Sequence, residues 1–213
     1  MMIRAYSESY LSDVMDGLGS MLDFAVNACG EDLRLFYARF LASGVATQIE
    51  RGNPRYLCGL SGVEIAMAVA RRTGNPLAEV KPLIDMGSPE YWTGWTLAYL
   101  QWYLGMDFKA LQTAGIDAET LSRKYPILHE ADLSKAVNYA QKTIERHRSQ
   151  HNPLKEHRKL AHLTQRELAT LSGTSLRSIR AYEQAQLGLA NASAESIVRL
   201  SRTLGCTPSD LLL

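Results

Sequence analysis

The chain has 213 residues, 46% of them hydrophobic, and a formal net charge of +1, so it is long and apolar enough for one large domain or two modest ones. No apolar run approaches the roughly 18 residues of a membrane-spanning helix, and residues 1–17 carry charges where a signal peptide needs an apolar core. These features exclude an integral membrane protein and predict a protein of the cytoplasm.

The charges are distributed unevenly along the chain. Residues 1–140 hold 12 Lys and Arg against 16 Asp and Glu, a net charge of −4, whereas residues 141–213 hold 11 against 6, a net charge of +5. A surface that binds nucleic acid needs local rather than global positive charge. A nucleic-acid interface is therefore expected in the C-terminal part of the chain.

Apolar residues in the first 150 positions recur at helical spacing between cap signals, and no stretch alternates as a strand would. The predicted helices cover residues 10–26, Asp32 to Ile49, 61–73, 88–105, 107–114, 117–124 with Pro126 closing them, and Asp132 to about Arg148. The stretch Gln150–Pro153 then interrupts the pattern. We therefore predict an all-α chain with one helical domain at residues 1–150 and a second domain at residues 151–213.

Cysteine spacing argues against a metal or redox site. Cys29, Cys58 and Cys206 are an odd number at wide separations, with no C-x-x-C pair that could hold zinc or form a redox disulfide. We expect each to be buried as a small apolar side chain.

Residues 163–184, LTQRELATLSGTSLRSIRAYEQ, carry the signals of two short helices joined by a tight turn. Thr164 and Glu167 form a capping box that opens the first helix. Gly173 ends that helix, and Ser175 caps the second one. The side chains expected to form the apolar side of the first helix are Leu168, Ala169 and Leu171. In the second helix we expect Ile179 and Tyr182 to face inward and Leu176, Arg177, Arg180 and Ala181 to face outward.

This segment resembles the helix-turn-helix of the lambda-repressor and Cro type, also called the XRE-type family. The resemblance extends to both sides: PLKEHRKLAHL (153–163) is similar to the first helix of the family, ASAESIVRLSRTL (192–204) to the fourth, and GCTPSDLL (205–212) to the closing turn and fifth helix. It implies a five-helix lambda-repressor-like domain that binds double-stranded DNA at an operator.

The same resemblance implies which residues contact DNA. Gln165, at the start of the second helix, is expected against the phosphate backbone. Ser175, Leu176, Arg177 and Arg180 are expected on the recognition helix in the major groove. Leu176 departs from the family, which more often has a polar side chain there, and leaves open a contact with a thymine methyl group or with the protein itself. Apart from the resemblance, five basic residues are candidates either to neutralise phosphates or simply to form a solvated face: Lys155, Arg158, Lys159, Arg146 and Arg148.

Members of this class usually bind a pseudo-palindromic site as dimers. The sequence stops at Leu213, directly after the fifth helix, so we expect the N-terminal domain to make a homodimer. The loop Gln184–Asn191 is longer and less polar than the usual turn after a recognition helix, and it lacks basic residues.

Two groups of residues in the N-terminal domain could either have a function or serve only in packing. A stripe of aromatic residues could line a ligand pocket, although aromatic residues at helical spacing favour a core: Trp92, Trp95, Tyr99, Trp102 and Tyr103. The run His129, Glu130 and Asp132 could bind a metal or act in acid–base chemistry, although it also describes a capped helix start, which we favour. No nucleophile elbow, phosphate loop or H-E-x-x-H motif is present, so we predict no enzyme, no cofactor and no metal.

Three functional hypotheses follow. The favoured one is a transcriptional repressor of its own operon whose N-terminal domain dimerises and can sense a ligand. The alternative is an antitoxin whose N-terminal domain neutralises a protein toxin while the helix-turn-helix regulates their operon. The strings SGVEIA, TGWTLAYLQWY and YPILHEAD resemble stretches of bacterial regulators, some of them encoded beside toxin-like genes. An enzyme with an appended DNA-binding domain rests only on the residues around His129.

Overall fold

The computed structural model of the protein describes residues 5–150 and 152–212, except for the side chains of residues 148–150. Within these ranges the chain forms fourteen α-helices and no strand, which confirms the predicted all-α fold class. None of these helices is long and apolar enough to cross a membrane. The chain divides into two compact units, Met1–Ile144 and Glu145–Leu213.

In its described part the first unit contains nine helices and the first twelve residues of a tenth, whose residues 145–150 are assigned to the second unit. They are α1 (Leu11–Asp23, which continues as a π-helical segment, Phe24–Ala28), α2 (Leu33–Ala42), α3 (Val45–Glu50), α4 (Pro54–Leu57), α5 (Gly62–Thr73), α6 (Pro89–Leu104), α7 (Phe108–Thr113), α8 (Ala118–Ser122), α9 (Tyr125–Leu128) and α10 (Leu133–Gln150).

Helices α1, α5 and α6 form the centre of this unit, and glycines let their backbones approach closely. A Cβ atom on Gly94 of α6 would overlap the carbonyl oxygen of Leu18 in α1, and it would lie 2.6 Å from the Leu18 carbonyl carbon. A Cβ atom on Gly62 of α5 would lie 2.6 Å from the carbonyl oxygen of Gly17 in α1. The large core side chains, such as Phe24, Phe36 and Leu97, pack around these contacts with less than 1% exposure.

Two cap signals work as the sequence predicts. Ser61 and Glu64 form the capping box of α5, and Gly74 ends that helix in the left-handed conformation. Ser88 caps α6 with Pro89 at its first position, and Gly105 ends it. In each case one helix contains all the residues needed for the signal, so the prediction did not depend on the rest of the fold.

Two predicted helix boundaries are wrong. The helix expected from Asp32 to Ile49 is broken into α2 and α3, because Gly44 adopts a left-handed backbone conformation with φ of 74°. Pro126 does not close the preceding helices but lies near the start of α9, where a missing N–H removes no helical hydrogen bond.

A buried carboxylate fixes the segment that leads into α6. Asp23 at the end of α1 is fully buried, and it accepts hydrogen bonds from the Ser88 hydroxyl (2.6 Å), the Asp85 amide (2.9 Å) and the Asn27 side chain (2.7 Å). These bonds satisfy the buried carboxylate and tie the N-terminus of α6 to the end of α1.

The aromatic stripe of α6 packs against the core. Trp102 is buried, and its indole Nε1 donates to the carbonyl oxygen of Tyr6 at 3.1 Å. Trp92, Trp95 and Tyr99 are partly buried against the same core. Tyr103 is 37% exposed and stacks on Tyr99 with a centroid separation of 5.6 Å.

The residues around His129 make local contacts. Asp132 accepts from the Ser134 amide at 2.8 Å just before α10, and the His129 ring stacks on Tyr125 at 4.3 Å. Glu130 lies 3.6 Å from the imidazole of His129. Across residues 5–150 and 152–212, no group of three His, Cys, Asp or Glu residues is arranged to hold a metal ion.

The predicted burial of the cysteines is wrong. All three are free thiols, with Cys58 exposed and Cys29 and Cys206 half-buried. Cys58 follows the last residue of the single-turn helix α4, and its thiol donates to the Pro54 carbonyl oxygen at 3.6 Å. A side chain at the end of so short a helix has no neighbouring turn to cover it.

The second unit contains α11 (Pro153–Leu160), α12 (Gln165–Ser172), α13 (Leu176–Glu183) and α14 (Ala194–Leu204), with 3₁₀ turns at Leu189–Asn191 and Ser209–Leu211. Its core is formed by Leu154, Leu168, Ile179, Leu200, Leu204 and Leu211. The predicted fifth helix is only the second 3₁₀ turn. Asp210 folds back to accept from the Thr207 amide at 2.8 Å, and Pro208 has no N–H to extend a helical ladder.

Candidate nucleic-acid interface

Helix α12 begins and ends as the sequence predicts. Thr164 and Glu167 exchange the two hydrogen bonds of a capping box, with Thr164 N to Glu167 Oε2 at 2.7 Å and Glu167 N to Thr164 Oγ1 at 3.2 Å. Leu168 is buried, but Leu171 is 63% exposed, so its expected place on the apolar side is wrong. The helix has only two turns, and Leu168 and Ser172 occupy its one buried edge.

Gly173 ends α12 with φ of 64°, in the left-handed conformation that favours glycine. We expect Gly173→Ala to destabilise the C-terminal unit by about 1 kcal/mol, because the Cβ atom of alanine is sterically unfavourable in the left-handed conformation. Gly188→Ala is the matched control, since Gly188 has φ of −68° and a Cβ there would make only an ordinary 3.5 Å contact. Urea unfolding followed by circular dichroism measures both, and equal stabilities for the two variants would contradict the expectation.

Helix α13 presents one face to the core and one to solvent. Ser175 caps it by accepting from the Ser178 amide at 3.0 Å, and Ile179 is buried as predicted. Ala181, expected to face outward, is buried instead, so that prediction is wrong. The reason is the chain after α13, where the amides of Gln186 and Leu187 both donate to the Ala181 carbonyl oxygen, at 3.0 and 3.2 Å.

The outward face of α13 carries two arginines. Arg177 and Arg180 are exposed and lie three residues apart, which is neighbouring spacing on a helix. Within the described chain neither guanidinium is paired with a carboxylate. Ser175 is exposed beside them and Leu176 is half-exposed. This face therefore combines unneutralised positive charge with a hydroxyl and an apolar side chain.

A buried ion pair joins α11 to the end of α13. The guanidinium of Arg158 donates from Nε and Nη2 to the two carboxylate oxygens of Glu183, at 2.6 and 2.9 Å, and from Nη1 to the Leu163 carbonyl oxygen at 2.7 Å. The Gln165 side chain donates to the same carboxylate at 2.8 Å. Only 12% of the Arg158 side chain and 3% of the Glu183 side chain are exposed.

The ion pair determines the protonation state of Glu183. Burial by itself raises the pKa of Glu183, but the hydrogen bonds from Arg158 and Gln165 and the positive charge of Arg158 outweigh burial. The net pKa of Glu183 is therefore lowered. The bond to Glu183 likewise raises the pKa of Arg158, so both groups stay charged at neutral pH.

Asn152 contributes a second link that the sequence analysis missed. Its side chain is buried, accepts from the Lys155 amide at 2.9 Å to cap α11, and donates to the Tyr182 carbonyl oxygen in α13 at 2.7 Å. The Asn-Pro pair at the start of α11 was the available signal, because asparagine before a first-turn proline is a helix cap.

The residues expected at DNA lie in two different environments. Ser175, Leu176, Arg177 and Arg180 come together at α13, whereas Arg158 and Gln165 point to Glu183.

The other basic residues are spread over α10, α11 and α12. On α11, Lys155 is half-exposed and Lys159 exposed. Arg146 is on α10, and the side chain of Arg148 lies outside the described residues. Arg166 is a further exposed cation, on α12, that the sequence analysis did not single out.

Two short helices separated by the three residues 173–175, with the second carrying exposed arginines, define a helix-turn-helix module of the DNA-binding class. In agreement with this geometry, a family model described as "Helix-turn-helix" matches residues 154–211. This match confirms the predicted resemblance of the segment to the lambda-repressor-like helix-turn-helix type. The C-terminal part of the chain thus carries a helix-turn-helix domain of the kind found in DNA-binding transcriptional regulators. No curated protein and no solved structure matches the chain significantly.

Proposed function

We propose that the protein is a sequence-specific regulator that represses its own operon by inserting α13 into the major groove of an operator. The observation that carries this proposal is the outward face of α13, where Arg177 and Arg180 are exposed and have no carboxylate partner among the described residues. An arginine fork can grip the O6 and N7 atoms of guanine together, which distinguishes guanine from the other bases.

The buried contacts support a role for α13 as a rigid element. The Arg158–Glu183 pair and the Asn152 bond hold the C-terminal turn of α13 against α11 from two sides. A helix that discriminates bases must keep its side chains in register with the base edges, so such fixation favours specificity. We assign Arg158 and Gln165 to this positioning and leave phosphate contacts to Lys155 and Lys159.

We further propose that the protein binds as a homodimer through its N-terminal unit. One recognition helix contacts only a few base pairs, and two copies one helical turn apart multiply the discrimination. A dimer across a promoter also excludes polymerase from it, which accounts for repression. Sedimentation of the full chain, together with the symmetry of its footprint on DNA, tests this assignment.

The direct test is binding of the full chain to DNA upstream of its own gene, measured as the salt concentration is raised. We expect Arg177→Ala and Arg180→Ala each to weaken specific binding by about 10- to 100-fold, because a bidentate guanine contact is worth about 1–3 kcal/mol. Lys159→Ala should weaken specific and random DNA alike and lower the salt slope by about one.

Arg202→Ala is the matched control, since Arg202 is an exposed arginine that belongs to α14 and to neither helix of the helix-turn-helix. It should keep wild-type specificity and lose little affinity. Wild-type protein that prefers its upstream DNA no more than random DNA at any salt would contradict the proposed function. If a reporter driven by the upstream DNA kept the same expression after deletion of the gene, the repressor role would be contradicted, but sequence-specific DNA binding would not.

A further inference from the structure

An open depression of about 630 Å³ lies beside the recognition helix α13. The side chains and backbone that line it belong to Leu176, Arg177, Arg180, Ala181, Gln186 and Leu187. Leu176 is half-exposed and Leu187 is 53% exposed, so two leucines border the depression together with the two arginines. None of the described residues that line it carries a carboxylate.

Backbone hydrogen bonds fix the position of Leu187. The amides of Gln186 and Leu187 both bond to the Ala181 carbonyl oxygen, and Ala185 adopts φ of 55° to turn the chain back. The left-handed region is unfavourable for a non-glycine residue such as Ala185, so the hydrogen bonds of the loop must offset this backbone strain. The result is a leucine held at the edge of the helix face that carries Arg177 and Arg180.

The chemistry of this depression matches one feature of the major groove. Among the base edges in that groove, the C5-methyl group of thymine is the apolar one, and the other features are hydrogen-bond donors and acceptors. Two leucines without a polar partner can bury a methyl group but cannot satisfy an amino group or a carbonyl oxygen. The flanking arginines and the absence of a lining carboxylate match the negative potential of DNA.

We propose that Leu176 and Leu187 form an apolar clamp for the methyl group of a thymine next to the bases contacted by Arg177 and Arg180. This inference rests on the proposed function, because the depression meets a base edge only if α13 enters the major groove. The proposal assigns a role in specificity to Leu176, where the sequence departs from the family, and to the loop Gln184–Asn191, which lacks basic residues.

The experiment replaces thymine by deoxyuridine, one position at a time, in the upstream fragment that the full chain protects. Deoxyuridine lacks only the methyl group and keeps every hydrogen-bonding atom of thymine. We expect wild-type binding to weaken about fourfold at one or two positions in each half-site, the loss for one buried methyl group. Leu176→Ala should bind the thymine and deoxyuridine forms of those positions equally.

Two further variants keep the outcome clear. Leu187→Ala should also reduce the thymine preference at the same positions, and its exposed loop position leaves the fold intact. Leu171→Ala is the matched control, because Leu171 is an exposed leucine on α12 that does not line the depression, and it should keep the full preference.

The possible results separate the two proposals. Wild-type protein that binds its fragment specifically but is indifferent to deoxyuridine at every position overturns the clamp and leaves the proposed function standing. The same holds if Leu176→Ala and Leu187→Ala both retain the wild-type preference. Absence of specific binding by wild type overturns the proposed function and the clamp with it.

Discussion

Replacement of Glu183 by glutamine should destabilise the C-terminal unit by about 3–5 kcal/mol, because removing one partner of a buried ion pair leaves the other charge uncompensated. The variant leaves the buried guanidinium of Arg158 without its carboxylate, and Gln165 loses a charged acceptor. All three tryptophans, at positions 92, 95 and 102, lie in the N-terminal unit, so their fluorescence should not follow this change. Hydrogen exchange of the amides of α11 and α13 measures it directly.

A double variant distinguishes a broken pair from a damaged core. Arg158→Leu combined with Glu183→Leu removes both charges, and we expect it to be more stable than Glu183→Gln because no charge remains uncompensated. Glu195→Gln is the control, since it breaks the exposed pair with Arg199 and should change stability by less than about 0.5 kcal/mol. If Glu183→Gln were no less stable than Glu195→Gln, the ion pair would have no structural role.

The lowered pKa of Glu183 predicts that the stability of the C-terminal unit depends on pH. Because the pKa of Glu183 is lowered in the folded protein, the unfolded chain binds more protons than the native one as the pH drops through the ordinary carboxyl range. The stabilisation is therefore complete above that range and is lost as the pH falls through the folded-state pKa. The protection factors of α13 amides, which are exchange rates corrected for the intrinsic rate at each pH, should fall in acid for wild type, and less so for Glu183→Gln.

Gly94→Ala should destabilise the N-terminal unit by about 3 kcal/mol or more, because the added Cβ atom would meet backbone atoms and not a flexible side chain. Besides overlapping the Leu18 carbonyl oxygen, it would lie 2.9 Å from the Gly19 amide nitrogen, so α1 and α6 must move apart. Close-packed interiors resist such a shift. Tryptophan fluorescence during urea unfolding reports this unit, since all three tryptophans are on α6.

Gly17→Ala provides the contrast on the facing helix. A Cβ atom on Gly17 would touch only the Ile65 side chain at 3.5 Å, an ordinary contact. Alanine in a helix interior is better than glycine by up to about 1 kcal/mol, so this variant should be neutral or slightly more stable. A Gly94→Ala protein as stable as Gly17→Ala would show that the two helices do not pack as closely as the structure has them.

The sequence alone predicted the features whose causes are local. The capping boxes at Ser61 and Thr164, the helix-ending Gly74 and Gly173 and the cap at Ser175 each depend on residues within one turn of the chain. The all-α class followed from apolar spacing in the same way. The helix-turn-helix and the exposed arginines of α13 could therefore be located before the fold was known.

The errors fall where distant residues decide. Ala181 is buried because the chain after α13 turns back onto it. The hydrogen bonds from Arg158 and Gln165 to Glu183 were also not predicted, because Glu183 lies 25 and 18 residues further along the chain. The break at Gly44 also escaped the apolar pattern, because α2 and α3 both keep helical spacing. Periodicity shows which side of a helix is apolar but not what covers its polar side.

The sequence by itself determined that this protein is all-helical, that its basic C-terminal segment is a helix-turn-helix, and which helix carries the exposed arginines. These properties depend on propensity, caps and charge, which neighbouring residues supply. Only the tertiary structure decided that Arg158 is paired with Glu183 and largely buried, because its partner lies 25 residues further along the chain. It also decided that Leu187 and Leu176 line the same depression, since backbone hydrogen bonds to the Ala181 carbonyl oxygen turn the chain after α13 back towards that helix.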